Sequence, residues 1–152
     1  MFVAGPGSDE AKAVLVLEPT QDASGNGIEL VDWSRDGHRL LVIEVTAQWA
    51  SDAAGAVARI YDADSRKLSD DGLIDDAFGR VLGRKCVATF DPIGFSEDGK
   101  VVVRAYPDLD EEQILQVDSC VKTVEVWDLD LASHKLRRLP DQFRVRRYGK
   151  KG

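Results

Sequence analysis

Trp33-Ser34-Arg35-Asp36-Gly37 and Phe95-Ser96-Glu97-Asp98-Gly99 are two copies of one turn, their serines 62 residues apart. Glycine supplies the positive φ that brings a strand back antiparallel. Ser and Asp side chains accept hydrogen bonds from backbone N–H groups within such a turn. The aromatic in front, Trp33 or Phe95, holds the same place in each copy and is expected to plug a core. A single turn of this kind is common. Two, each flanked by apolar stretches, point to antiparallel β-units of one design used twice.

In the first unit, residues 28–33 mostly alternate and lead into the turn, residues 38–45 return, and residues 56–62 read as a third strand. In the second, residues 87–90 and 93–95 lead in, residues 100–106 return, and residues 121–128 form the third strand. This alignment sets His38 opposite Lys100 and Tyr61-Asp62 opposite Trp127-Asp128, 66 residues apart, with Leu68 and Leu136 extending the match at 68. The drift is assigned to a longer, acidic insertion in unit two. Ahead of the first unit, Ala13-Val14-Leu15-Val16-Leu17 reads as a strand, ended by Pro19 and buried on both faces or covered. Between the units, Ile74, Phe78, Val81 and Leu82 recur at helical spacing and predict a helix over 71–83 that packs over a sheet edge. Asp70, Asp71, Asp75 and Asp76 crowd its start, and Arg84 and Lys85 follow its end, complementing the dipole.

The aromatic-Ser-x-Asp-Gly turns, the Tyr61-Asp62 and Trp127-Asp128 pairs and the basic-apolar stretch Leu136-Arg137-Arg138-Leu139-Pro140 resemble WD40-like repeats of the TolB type. The resemblance covers about 27–69 and 85–148. It implies four-stranded blades of a β-propeller and, since two units cannot close a ring, an incomplete propeller whose open faces need covers. The expected fold is therefore mainly β, a single domain of two antiparallel blade-like sheets joined by one short helix. Residues 13–17 and the helix are the expected covers.

Composition narrows the role. The 152 residues carry 20 Lys and Arg against 27 Asp and Glu, a net charge of −7, which disfavours general binding to nucleic acid or anionic membrane. The basic cluster near the end (Arg137, Arg138, Arg144, Arg146, Arg147, Lys150 and Lys151) reads as a solvated tail or an intramolecular counterweight. No apolar run is long enough to span a bilayer, and the first ten residues lack the pattern of a signal peptide. Either a cytoplasmic location or export with a removed leader fits. Cys86 and Cys120 are the two cysteines; they read first as free buried thiols and second as one disulfide.

Candidate chemistry is sparse. Ser34, Asp36 and His38 share one tight turn, which leaves little room for a line of nucleophile, base and orienting acid. His134 falls in a second turn and is expected to face solvent. Residues 22–28 match the first half of a calcium loop but lack the closing Glu, so a Gly/Asn turn is preferred. The acidic runs at 70–76 and 108–112 read as solvated. No catalytic, cofactor or metal residue is expected. Trp49 in one projecting loop, and Ile114, Leu115 and Val117 in the other, are the expected partner-binding residues. The function expected is a non-catalytic interaction or scaffold module, bacterial in character, binding a protein partner or its own copies. The alternative is an accessory propeller fragment of a larger enzyme such as a peptidase, with catalytic residues outside this chain.

Overall fold

The computed structural model describes residues 1–4, 10–18, 24–48, 54–70, 72–83, 87–107 and 120–146. Among them the fold is mainly β, with one helix. Strands β1 (Phe2–Ala4) and β2 (Ala11–Ala13) form a small antiparallel pair. Strands β3 (Ser24–Trp33), β4 (Arg39–Gln48), β5 (Ala54–Asp62) and β6 (Lys67–Leu68) make one antiparallel sheet in sequence order. Helix α1 (Leu73–Leu82) follows. Strands β7 (Ala88–Phe95), β8 (Val101–Pro107), β9 (Glu125–Asp130) and β10 (Lys135–Leu139) make a second sheet of the same order.

The duplicated turn joins β3 to β4 and β7 to β8, with the glycines in the left-handed region at φ 77° (Gly37) and 75° (Gly99). Just before it, each sheet carries a bulge at the same place. The ladder shifts between Leu30 and Asp32 in the first sheet and between Pro92 and Gly94 in the second. An inserted residue re-aims its side chain. Val31 and Ile93 are both buried as a result.

Three expectations about strands and register change. The turns differ by one residue. Ser34 pairs with Arg39 across the first and Ser96 with Lys100 across the second, so Arg39 is the counterpart of Lys100 and His38 is the insertion. The third strands were set two residues out of step. Leu40 lies opposite Tyr61 and Val101 opposite Leu129, which makes Asp62 the counterpart of Asp130. A second repeated turn then emerges. Asp62 accepts from the Ser65 N–H and Asp130 from the Ser133 N–H, at 2.7 and 2.9 Å. Arg66 and His134 both take positive φ, 56° and 54°, and Lys-Leu follows each. A slip of two residues keeps every side chain on its own face, so alternation alone does not detect it. Finally, residues 14–17 are not a strand. Leu15 is buried while Val16 is 69% exposed, so the segment lies over a sheet without pairing into one.

This register shows how the sheets stack. Trp33, Leu40, Val42 and Tyr61 share one face of the first sheet, and their counterparts Phe95, Val101, Val103 and Leu129 share the equivalent face of the second. The central core joins Val31, Leu41 and Ile60 to Phe95, Val101, Val103 and Leu129. It therefore brings opposite faces together: the sheets stack head to tail. α1 seals this layer with Ile74, Ala77 and Phe78, lying against β5 and β10. The Phe78 ring stacks on Phe90 at 4.1 Å and meets Trp127 edge-on at 5.8 Å. Gly72 and Gly83, both at positive φ, bound the helix, and Asp75 and Asp76 occupy its first turn.

Stacking of this kind leaves one face of each sheet outermost, and the chain covers both with its own segments. Met1, Val3, Val14, Leu15 and Leu17 pack on Leu40, Val42 and Tyr61. The amino group of Met1 donates to the Leu15 carbonyl and ties this cover together. At the other end, Phe143 and Val145 pack on Ile93, Val102 and Val126. The first cover includes residues of the expected 13–17 segment. The second went unforeseen, because α1 lies in the central layer instead.

Cys120 is disulfide-bonded, which overturns the preference for free thiols. Cys86, the other cysteine of the sequence, lies outside the described residues.

Candidate functional site

Polar side chains gather at the two duplicated turns. In the first, the Ser34 hydroxyl donates to Asp36 Oδ1 at 2.6 Å and accepts from the Arg39 N–H at 2.8 Å, while the His38 N–H reaches the same Asp36 oxygen at 3.0 Å. In the second, the Ser96 hydroxyl donates to Asp98 Oδ1 at 2.6 Å and accepts from the Lys100 N–H at 3.0 Å. Asp36 is held below the usual carboxylate range, chiefly by the Ser34 hydroxyl and then by the His38 N–H. Asp98 is lowered to about 2, first by the Lys100 ammonium and then by Ser96. Both serines are buried and hold the hairpin closed. Neither is presented as a nucleophile.

The inserted His38 points away from Ser34. Its Nδ1 lies 2.7 Å from Asp64 Oδ1 on the β5–β6 turn, at an exposed rim. The Asp64 carboxylate raises its pKa, first through this hydrogen bond and then through charge. Ser34, Asp36 and His38 therefore form no relay: the serine proton goes to Asp36 and the imidazole to a different acid. His134 is exposed as expected, with Arg80 Nη1 at 3.4 Å.

Beside this rim, an open groove of about 470 Å³ lies between the two sheets and α1, with Arg39, Asp62 and Lys67 along it and Leu68, Leu73 and Leu131 beneath. Arg39 donates from Nη1 to the Gly99 carbonyl at 3.2 Å and lies 3.8 Å from Asp62. It thus links the first turn to the second, and its charge is already engaged within the protein.

The deepest polar contact is at the seam between the sheets. Asp32 is fully buried. Its Oδ1 accepts from the Trp33 N–H at 2.9 Å, and its Oδ2 crosses to the second sheet to accept from the Phe95 N–H at 3.0 Å. Its counterpart in the second unit is Gly94, where an added Cβ would lie 2.7 Å from that same Oδ2 and 2.6 Å from Val145 Cγ1. Where one unit extends a carboxylate, the other leaves room to receive it. Sequence reading missed this pair, although the position-by-position comparison of the two turns held the signal: Asp-Trp-Ser against Gly-Phe-Ser.

A second buried carboxylate, Asp128, takes Nε of Arg137 at 3.0 Å. Arg138 pairs with Glu125 at 3.1 Å. The first two arginines of the basic cluster thus neutralise acids of the adjacent strand, as a counterweight would. Residues 24–28, five of the seven in the calcium-loop match, are extended in β3 and paired with β4, not curled into a loop. Among the described residues no group of three or more His, Cys, Asp or Glu side chains is placed to hold a metal ion, and every buried side-chain nitrogen or oxygen has a partner. No described helix is long and apolar enough to cross a membrane. The expected partner residues Trp49, Ile114, Leu115 and Val117 lie outside the described residues, as does the acidic run at 108–112.

Comparison of the chain with protein-family models, with curated proteins and with solved structures found no match in any of the three.

Proposed function

We propose that this protein is a non-catalytic interaction module built from two propeller-type blades, presenting its hairpin loops to a protein partner. One observation carries the reading: two four-stranded antiparallel sheets, alike in turns and bulges, stack unlike face on unlike face around neighbouring first strands. That is the relation a propeller repeats around its ring. The polar residues a hydrolase reading would recruit support it too, because Ser34, Asp36, Ser96 and Asp98 are committed to closing hairpins. The warrant from fold to role is analogy. Paired sheets of this kind supply a rigid frame, and binding residues concentrate on the loops that such frames carry.

The test places a photo-reactive amino acid at position 49 or 115 in the protein produced in its native host. A discrete protein captured from both positions, and not from a control at Lys67, supports the reading. Efficient hydrolysis of simple ester, peptide or glycoside substrates, abolished by replacing one acidic residue, would refute it.

A further inference from the structure

We propose that the two terminal covers hold back head-to-tail association of this chain with a second copy, through the same kind of surface that joins its two sheets. The proposal rests on the blade reading above. Its basis is the equivalence of faces. The outer face of the first sheet (Leu40, Val42, Tyr61) is the counterpart of the inner face of the second (Val101, Val103, Leu129). The outer face of the second sheet, with Ile93 and Val102, is the counterpart of the inner face of the first, with Val31 and Leu41. The two outer faces are thus related to each other as the two inner faces are, and the inner faces already pack together. Each cover occupies a place that a further sheet would take.

Heterologous contacts of this type close into rings or run on as filaments. Two copies would bring four sheets together, the smallest number that closes a propeller. The covers are unequal in fit. Beside the N-terminal one runs an open, largely apolar groove of about 440 Å³, with Met1, Phe2 and Val3 of the cover along it and Leu30, Trp33 and Leu40 of the sheet beside them. Phe2 and Val16 are each 69% exposed. A cover that leaves apolar surface of both itself and the sheet open to water buries less than it could, so it is the easier of the two to displace. The C-terminal cover, by contrast, sets Val145 tightly against Gly94.

The test loosens one cover at a time in the full chain. Leu15→Asp places a charge in the N-terminal cover, and Phe143→Asp does so in the C-terminal one. Alone, each variant bares a single face, and like faces do not match. Mixed in equal amounts, they bare complementary faces. Light scattering coupled to gel filtration should show each variant as a monomer and the mixture as a one-to-one complex of twice the monomer mass. The complex should be lost when Val42→Glu is added to the Leu15→Asp chain. Should either aspartate variant fail to fold, Leu15→Ala and Phe143→Ala bare the same faces more gently and are read the same way. A mixture that stays monomeric while both variants melt cooperatively overturns the proposal. So does equal self-association of either variant alone, which would mean that like faces pair. Neither result touches loop-mediated capture at positions 49 and 115, so this inference and the interaction reading fail separately.

Discussion

Replacing Asp32 with alanine removes a buried side chain that hydrogen-bonds across the seam from the first sheet to Phe95 of the second. The Phe95 N–H sits in the buried core and loses its acceptor, 3.0 Å away in the native protein. A buried donor left without a partner costs about 1–3 kcal/mol. The Trp33 N–H, half-buried, loses its contact at 2.9 Å as well, adding about 0.5–1.5 kcal/mol. Together these predict a loss near 2–4 kcal/mol, a large part of the ~5–15 kcal/mol typical of a domain. For a chain of this length the melting temperature should fall by about 5–15 °C. Asp32→Asn keeps one carbonyl acceptor and should cost roughly half as much. Urea denaturation monitored by the three tryptophans measures the difference, and the Phe95 amide proton should exchange markedly faster in Asp32→Ala. A variant within about 0.5 kcal/mol of the parent, with Phe95 exchange unchanged, would refute the claim that this carboxylate locks the sheets.

Gly94→Ala attacks the same seam from the other side. Its Cβ would lie 2.6 Å from Val145 and 2.7 Å from Asp32, at φ +143°, so crowding and strain predict a loss of about 2–4 kcal/mol in the same denaturation assay. His38 should titrate above the ordinary imidazole value because Asp64 stabilises its charged form. The stabilisation from this pair is complete below the unfolded value and is lost as pH rises through the folded one. Asp64→Asn should return the His38 titration, followed by NMR, toward the ordinary value. Asp98, held at about 2 by Lys100 and Ser96, contributes stability that is in place above its unfolded value near 4 and declines as pH falls toward 2. Lys100→Met should raise its carboxyl pKa in an NMR titration, which shrinks this contribution and ends its decline at a higher pH.

The duplicated Ser-x-Asp-Gly turn was legible in the sequence because its chemistry is local. Ser34, Asp36 and Gly37, like Ser96, Asp98 and Gly99, bond within a few residues of one another, and residue type dictates the geometry. The helix was legible for the same reason, its apolar residues recurring at 3.6-residue spacing. The expected bounds of 71–83 narrow to Leu73–Leu82. The second repeated turn, Asp62 to Leu68 against Asp130 to Leu136, was missed because strand alternation is blind to a shift of two. The partner residues Trp49, Ile114, Leu115 and Val117 were chosen for apolar character in projecting loops, a property that speaks to exposure and not to geometry.

Sequence alone thus determined that this protein is built of two like antiparallel β-units, because hairpin turns and strand periods are written in neighbouring residues. Only the tertiary structure decided that the units stack head to tail, that Asp32 crosses into the space left by Gly94, and that the chain covers both outer faces with its own terminal segments. Those outcomes depend on which face meets which across more than 60 residues. The hydrophobic effect that drives the contact rewards burial without specifying a partner.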